Sequence, residues 1–445
     1  TVEFGTLGSW LVDVVNVLTG NLDRPGGVMF PLGPTAPAPR PPRPGRGFGT
    51  GRWHSRVSGY PEAAGEFPTA ALAEEIDTPG EGQIRAMITI AGNPVLSAPD
   101  GDRLSKALDG VGFMLSIDPY LNETTCHADV ILPPPPPSRS GHFDFALNNL
   151  AVRNNARYSP PVLPLADGRP DEAEILSRIA LILYGAGPDG DPALVDAQVI
   201  ATTLGKEVAD EHSPVAGRDV EELTAMLTGE RGYERRLDMM LRLGPYGDAF
   251  GARPGGLTLQ RLLDEPHGVD LGPLAPRLPG VLRTPSGRVE LAPPELVAET
   301  ARLRDRIGCG ATELVLIGRR HLRSNNSWMH NLPALAGGTN RCTLHIHPDD
   351  ARRLAIAPDG DGEATAVVKG AGGEVIVPVE VTDTIRPGVV SLPHGWGHGL
   401  DGTRLSVAAT QPGVNVNQLN DGTLLDPLSG TAVLNGLPVT VFAAG

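Results

Sequence analysis

Hydrophobic positions in the first part of the chain alternate between helical and strand-like patterns. Residues 7–18 carry apolar side chains at helical spacing and predict an amphipathic helix. Residues 84–91 form an almost continuous apolar run, which predicts a parallel strand buried on both faces. A predicted helix over 100–108 and predicted strands over 113–117 and 128–132 follow. This order predicts a βαβ unit with a right-handed crossover.

The later part of the chain changes from helices to short strands. Residues 171–184 predict an amphipathic helix with Asp171 as its N-cap, and residues 219–243 predict further helix. Residues 244–294 are rich in proline and glycine, which predicts a linker with a short hairpin over 284–291. After Thr312 the pattern of short strands and turns is typical of a closed β-barrel. The predicted elements are strands at 314–317, 342–346, 363–369, 374–382, 388–392 and 431–442, a helix at 348–354 and a turn at 359–362.

Composition narrows the classes of function. The chain has 445 residues, which predicts two or three domains at roughly 100–200 residues each. Its formal net charge of −15 argues against binding to nucleic acid or to anionic membranes in general. Cys126, Cys309 and Cys342 are too widely spaced for a zinc or iron–sulfur motif, so we predict no metal ligands in this chain. No apolar run reaches the roughly 18 residues that a membrane span needs.

One segment concentrates basic and small polar side chains. The predicted strand that ends at Ile317 is followed by Gly318, Arg319, Arg320, His321, Arg323, Ser324, Asn325 and Asn326. Arginine offers planar bidentate donors to phosphate oxygens, and a glycine lets backbone N–H groups approach a ligand. A site for a phosphate-rich ligand is therefore one interpretation. The other is a basic surface loop paired with carboxylates, and composition alone favours it.

Three further groups are candidates for ligand binding. Asn93 and Asp118 follow the first two strands of the predicted parallel sheet, where such sheets bind ligands, but a turn and a cap explain them equally well. His394 and His398 lie in a glycine-rich loop that serves either ligand contact or a tight strand connection. Asn417 precedes the last predicted strand, and its amide suits either the edge of a heterocycle or a turn.

Several segments of the chain resemble the molybdopterin oxidoreductases of the dimethyl-sulfoxide-reductase superfamily, which includes formate dehydrogenases and nitrate reductases. The segments that carry the resemblance are LTGNLDRPGG at 18–27, AGNP at 91–94, DPYLNETTCHADVILP at 118–133, TPSGRVEL at 284–291, GRRHLRSNNS at 318–327, HPDDARRL at 347–354, VTDTIRPGVVSLPHGWGH at 381–398 and DPLSGTA at 426–432. Together they extend over nearly the whole chain.

The resemblance implies an α/β fold in which a Rossmann-like parallel-sheet domain is followed by a C-terminal double-psi β-barrel domain. Residues 1–80 are then a helix and a proline- and arginine-rich loop that lead into the α/β dinucleotide-binding domain at 81–245. Residues 246–310 are a linker with a short hairpin and a helix, and residues 311–445 are the molybdopterin dinucleotide-binding barrel.

The resemblance also implies the cofactor bis(molybdopterin guanine dinucleotide) with molybdenum or tungsten, and it favours the phosphate interpretation of residues 318–326. The positions that match the family's cofactor contacts are Asn93, Ile117, Asp118, Asp171, Ile317, Gly318, Arg319, His321, Ser324, Asn325, Asn326, His394 and Asn417. The family's basic residue after Ile-Leu-Pro has no evident counterpart, since Ser140 falls near its position.

As for activity, the resemblance implies two-electron redox chemistry on a small-molecule substrate, with an electron-transfer partner protein or subunit. The family's 4Fe-4S cysteine motif and its metal ligand match no residue here, so we expect them, with the catalytic residues, in an N-terminal half that this sequence lacks. We predict a cytoplasmic, formate dehydrogenase-like enzyme. The alternatives are an assimilatory nitrate reductase-like enzyme and a non-catalytic nucleotide-binding scaffold without the metal centre.

Overall fold

The computed structural model describes residues 1–37, 49–308, 314–356 and 364–444. The chain divides into two compact units, each built from separate segments of sequence. The first unit contains residues 1–11, 48–133 and 292–445, and the second contains residues 12–47 and 134–291. The residues of the first helix are divided between the two units.

The α-helices within the described residues are α1 Gly5–Leu18, α2 Leu72–Asp77, α3 Pro94–Ser97, α4 Gly101–Leu108, α5 Glu172–Leu183, α6 Ala193–Ala209, α7 Val220–Ala225, α8 Gly232–Leu243, α9 Leu259–Asp264, α10 Pro294–Gly308, α11 Pro333–Ala336 and α12 Pro348–Arg353. The strands are β1 Thr50–His54, β2 Pro61–Ala63, β3 Ala86–Ile90, β4 Phe113–Ile117, β5 Val130–Ile131, β6 His142–Phe143, β7 Arg153–Ala156, β8 Tyr158–Ser159, β9 Val269–Pro273, β10 Leu314–Arg319, β11 Leu344–Ile346, β12 Thr365–Lys369, β13 Glu374–Val381, β14 Val389–Pro393 and β15 Leu437–Ala443.

The last six strands close into a β-barrel in the order β10-β14-β11-β13-β12-β15. The pairs β10–β14 and β11–β13 are parallel, and the other neighbours are antiparallel. Side chains alternate along each strand, so that Leu316, Val377 and Val390 point into a fully buried core while Ile376 stays exposed. The predicted closed barrel is confirmed, and its double-psi connection stays a prediction.

The first unit also contains a three-stranded parallel sheet, β3-β4-β5, as the βαβ pattern predicts. Helix α4 packs on one face of it through Leu104 and Leu108, which contribute to a core with Met114. On the other face Ile88 is 41% and Ile90 53% exposed. The prediction that strand 84–91 is buried on both faces is therefore wrong for the described residues, because the helices of this core cover only one face.

The second unit is a set of helices around two hydrophobic cores, with two short antiparallel ribbons, β6–β8 and β7–β9. Helix α5 begins at its predicted cap, where Asp171 Oδ1 accepts a hydrogen bond of 2.7 Å from the Glu174 N–H. The helix predicted over 219–243 is instead two helices, α7 and α8, because Gly229 at φ +123° lies between them. Helix α6 is present as well, although the sequence pattern did not predict it.

The segment predicted as a linker contains more structure than expected. It includes α9, and β9 pairs with β7 rather than forming a local hairpin. The turn at residues 284–287 is formed, since the Gly287 N–H donates to the Thr284 carbonyl at 3.1 Å, but residues 288–291 are not in a strand. The hairpin over 284–291 is therefore wrong. The turn predicted at 359–362 and most of the proline- and arginine-rich segment lie outside the described residues.

Candidate functional site

Arg319, the last residue of β10, points into the barrel wall rather than outward. Its guanidinium donates to the carbonyl oxygens of Ser391 at 3.0 Å and Thr343 at 2.9 Å. Its Nε also donates to His321 Nε2 at 3.2 Å. Burial lowers the pKa of Arg319 from its usual value. The donors of Arg319 thus hold the ends of neighbouring barrel segments together, and its role as a cofactor contact stays a prediction.

The loop that follows, residues 320–326, exposes the other basic side chains. Arg320 donates to the side-chain oxygen of Asn326, and Arg323 is exposed with no hydrogen-bond or ion-pair partner among the described residues. Asn325 and Asn326 have positive φ values of 40° and 62°. Left-handed residues occur in backbone turns that bind anions through their N–H groups. Three other candidates lie at this end of the barrel. Ile317 is 38% exposed, and the Gly318 N–H donates to Asn435 Oδ1 at 2.7 Å. The Ser324 hydroxyl donates to the His321 carbonyl at 2.9 Å.

A buried chain of acid and imidazole groups, which no sequence pattern predicted, lies behind this loop. Glu123 Oε1 and His398 Nδ1 are 2.9 Å apart, and His398 Nε2 and His330 Nδ1 are 2.8 Å apart. Asn93 donates to the other oxygen, Glu123 Oε2, at 2.8 Å. We call the groups Glu123, His398 and His330 the buried triad. Glu123 and His398 are 275 residues apart in sequence, so no local pattern pairs them.

The outer end of the buried triad carries two polar atoms without a partner. His330 Nε2 and Trp396 Nε1 are buried and have no hydrogen-bond partner within the described part of the chain. Their rings stack with centroids 4.1 Å apart. Both residues line a small pocket together with the basic residues His321, Arg323 and Arg341. Because buried polar atoms are normally paired, these two atoms are candidates for contact with a ligand.

The predicted site residues of the parallel sheet are bonded to protein groups. Asn93, at the end of β3, donates to Glu123 and accepts from the Thr124 hydroxyl at 2.7 Å. Asp118, just after Ile117 at the end of β4, is 3% exposed and accepts from the Tyr120 N–H at 2.8 Å. Burial raises the pKa of Asp118, and this effect is larger than the lowering by its hydrogen bonds with the Tyr120 N–H and the Asn122 side chain. Asp118 caps no helix among the described residues, and the Asn93 side chain bonds other side chains, so neither the cap nor the turn interpretation accounts for them and their ligand roles stay predictions.

Asn417 joins two parts of the first unit. Its side-chain N–H donates to the Leu96 carbonyl at the end of α3 at 2.6 Å, and Asn415 donates to the Val95 carbonyl at 3.2 Å. His394 is half-buried, and its N–H donates to the Arg319 carbonyl at 2.9 Å. The structure therefore brings His394 next to the loop after β10, while Asn417 lies at the junction with the parallel sheet.

Asp171 belongs to the second unit, where it caps α5 and pairs with Arg231 at 2.7 Å. It lines a cavity of about 390 Å³ together with Ser140, Tyr233 and Arg236. Ser140, which falls near the position of the basic residue in the family that the sequence resembles, thus lines the same cavity as a predicted contact residue. Among the described residues, no helix combines the length and the apolar character that crossing a bilayer requires.

With this geometry established, the barrel can be compared with known proteins. Residues 314–438 match the family model described as "Molydopterin dinucleotide binding domain". A tetrathionate reductase subunit of Salmonella typhimurium is 23% identical over 98% of this chain and 50% of its own length. The arsenate respiratory reductase molybdopterin-containing subunit of a Shewanella species is 31% identical over 38% of this chain and 20% of its own length. The assimilatory nitrate reductase catalytic subunit of Bacillus subtilis is 35% identical over 15% of this chain and 10% of its own length.

A solved structure shares the fold. Acetylene hydratase from Pelobacter acetylenicus aligns with a TM-score of 0.57 and 15% identity over 85% of this chain and 46% of that chain. The class that the fold and the barrel match define is therefore that of proteins with a molybdopterin dinucleotide-binding domain. The chain is related to the molybdopterin oxidoreductases of the dimethyl-sulfoxide-reductase superfamily, which confirms the resemblance seen in the sequence. It spans about half the length of its tetrathionate reductase relative.

Proposed function

We propose that this chain forms part of the cofactor site of a molybdopterin-dependent oxidoreductase, with bis(molybdopterin guanine dinucleotide) carrying molybdenum or tungsten as the cofactor. The observation that carries the proposal is the match of residues 314–438 to the dinucleotide-binding domain over the barrel strands and the basic loop after β10. The cofactor, when bound, supplies the two-electron chemistry, while the protein supplies binding and electrostatics.

The donors beside the barrel fit such a group chemically. Arg320 and Arg323 are exposed on the loop after β10, and planar guanidinium groups suit phosphate oxygens. Arg320 and Arg323 would therefore hold the dinucleotide by its phosphates.

The names of the relatives support reduction as the class of reaction. Tetrathionate, arsenate and nitrate reductases are each named for reducing an oxidised substrate, and the nitrate reductase agrees with one of the alternatives drawn from the sequence. We therefore favour a reductase acting on a small oxidised anion. The formate dehydrogenase-like activity and the cytoplasmic location stay predictions. Because the relatives are named as subunits, we also propose a separate electron-transfer partner.

The experiment measures pterin and metal content in the full-length protein. Oxidised-pterin fluorescence and elemental analysis should find pterin with molybdenum or tungsten, whereas a nucleotide-binding scaffold would contain neither.

Arg323→Ala should weaken retention of the cofactor roughly tenfold or more, the usual effect of losing a hydrogen bond to a charged group. Arg352→Ala, which removes an exposed arginine from α12 on the same barrel, is the matched control and should leave pterin content unchanged. Equal pterin content in both variants would overturn the assignment of the loop.

A further inference from the structure

The buried triad lies between a cavity and a small pocket of the first unit, and the two differ in the charge of the residues that line them. Glu123 lies in the wall of a cavity of about 350 Å³, which Asp102 and Glu374 also line. His330, at the other end, lines the small pocket beside Arg323 and Arg341. One end of the triad is therefore acidic and the other is basic. The inner members are removed from water, since Glu123 is 0% and His398 2% exposed.

The hydrogen-bond pattern fixes where the protons lie when both rings are neutral. Burial favours the neutral form of Glu123, but the hydrogen bonds from His398 and Asn93 outweigh it and lower the pKa of this carboxyl group. Ionised Glu123 must accept from His398 Nδ1–H, so His398 Nε2 is left to accept from His330 Nδ1–H. His330 Nε2 then carries a lone pair with no partner among the described residues. The triad is a polarised chain that ends in the lone pair of His330 Nε2, close to the backbone of Gly395.

We propose that Glu123, His398 and His330 form a proton relay between the acidic cavity and the basic pocket. The proton transfer itself depends only on the triad, while its coupling to electron transfer rests on the proposed function. A proton taken up at His330 Nε2 allows Nδ1 of the same ring to pass its proton to His398 Nε2. His398 Nδ1 passes its proton to Glu123, and the carboxylic acid releases a proton to the cavity.

Each group gains one proton and loses one, so charge is conserved and one proton is carried from one end of the buried triad to the other. Both imidazoles end with the proton on the other nitrogen, and a proton travelling in the opposite direction restores them. The proposed two-electron cofactor, held beside the pocket, would change the charge there on each oxidation and reduction, and the triad could then carry a proton in either direction.

The size and charge of the pocket agree with proton transfer rather than with ligand storage. The pocket measures about 10 Å³, which is close to the roughly 10–15 Å³ that a single water molecule needs. One water therefore suffices to pass a proton between His330 Nε2 and a neighbouring group. Burial and the neighbouring rings of His398 and His321 disfavour a positive charge on His330, so its Nε2 atom is bare in the resting chain.

The test uses this chain without cofactor and reads the ring nitrogens of its histidines by nuclear magnetic resonance. At pH 7.5 the relay requires His398 and His330 to be protonated at Nδ1 and His330 Nε2 to be bare. Exchange of the two Nδ1 protons with solvent should then proceed through Glu123. In Glu123→Gln that exchange should slow by at least roughly tenfold, a conservative figure for the loss of a positioned proton-transfer group. Glu374→Gln, which alters the same cavity wall outside the triad, is the control and should exchange at the wild-type rate.

If the triad has only a structural role, Glu123→Gln should change the exchange rate in the opposite direction. If the protons exchange only when the site opens, Glu123→Gln weakens the network and the exchange becomes faster, which overturns the relay. If Glu123→Gln does not fold, the wild-type spectrum decides, because a proton on His330 Nε2 at pH 7.5 is incompatible with the resting chain. Absence of pterin from the full-length protein would overturn the proposed cofactor function and leave this measurement unaffected.

Discussion

Asn417 and Leu96 join the barrel to the parallel-sheet part of the first unit, because the Asn417 side-chain amide donates to the Leu96 carbonyl at 2.6 Å. Both residues are buried. The side-chain oxygen of Asn415 accepts from the Asn417 N–H at 3.0 Å, so the segment after the glycine-rich loop is held in one conformation. An amide that the sequence assigned to cofactor binding or to a turn thus stabilises the junction as well.

Replacing Asn417 with leucine should lower the free energy of unfolding. The substitution leaves the buried Leu96 carbonyl without its donor, and an unpaired buried polar group costs about 1–3 kcal/mol. Urea unfolding of the chain measures the change. Gln418→Ala is the control, because its amide donates to Asp102 at 2.9 Å in an exposed position and should matter less. Equal losses in the two variants would show that Asn417 contributes no special support to the junction.

How far the sequence could predict these features depends on the range of the interactions. The barrel strands were predictable because burial alternates with every residue, as Val375, Ile376 and Val377 show in β13. The start of α5 was predictable because an N-cap is a local hydrogen bond, here from the Glu174 N–H to Asp171. Both signals lie within a few residues of each other in the sequence.

The sequence predicted which types of side chain the site contains, but it did not predict where those side chains point. The segment after Ile317 shows how many donors are present, but it does not show that Arg319 points into the barrel while Arg323 points away. Glu123 and His398 each stand in a segment that carries the family resemblance, yet only the fold brings them to 2.9 Å. His330 has no motif of its own, and the bare Nε2 atom became visible only with its surroundings.

Arg319→Ala should destabilise the barrel even when no ligand is bound. The substitution removes the donor to the Ser391 and Thr343 carbonyls, and we expect a loss of roughly 1–3 kcal/mol in the free energy of unfolding. Arg320→Ala, at the exposed neighbouring position, should change stability little, since surface substitutions usually fall within about 0.5 kcal/mol. Both are measured by urea unfolding of the cofactor-free chain. Normal stability of Arg319→Ala together with lost pterin in the full-length protein would instead favour direct cofactor contact.

Gly395 should not tolerate a side chain. Its φ is +89°, and a Cβ atom at this position would lie 2.1 Å from the Asn326 carbonyl oxygen. Gly395→Ala therefore forces apart the glycine-rich loop and the loop after β10, in addition to the strain of the backbone conformation. Gly388→Ala separates the two effects, because Gly388 has φ +81° and open space around its Cβ position.

We expect Gly388→Ala to cost about 1–2 kcal/mol, the usual penalty for a left-handed residue with a Cβ atom. Gly395→Ala should cost clearly more, and thermal unfolding of the two variants side by side measures the difference. The same midpoint for both variants would mean that the two loops separate freely, which would remove the basis for placing His394 and Asn326 in one site.

The protonation of His330 should make the fold sensitive to mild acid. Burial first, and then the neighbouring His398, lower the pKa of His330 to about 4. The nearby ring of His321 acts in the same direction, while the Gly395 backbone and Glu123 favour the charged form. An unfolded chain takes up the proton near pH 6.5, so acid favours unfolding between pH 6.5 and 4.

The full contribution of this group is therefore present above pH 6.5 and is lost as the pH falls to about 4. It amounts to at most roughly 3 kcal/mol, from about 1.4 kcal/mol for each unit of pKa change. Urea unfolding at pH 7.5 and pH 5.0 should show a larger loss in the wild-type chain than in His330→Gln, whose amide keeps a polar side chain in the site but does not titrate. The other histidines with lowered pKa values are His321, His345 and His394, and they titrate in both proteins, so the difference between the proteins isolates His330. Parallel pH curves for the two proteins would mean that His330 takes up its proton as readily in the folded chain as in the unfolded one, so that its pKa is not lowered by the fold.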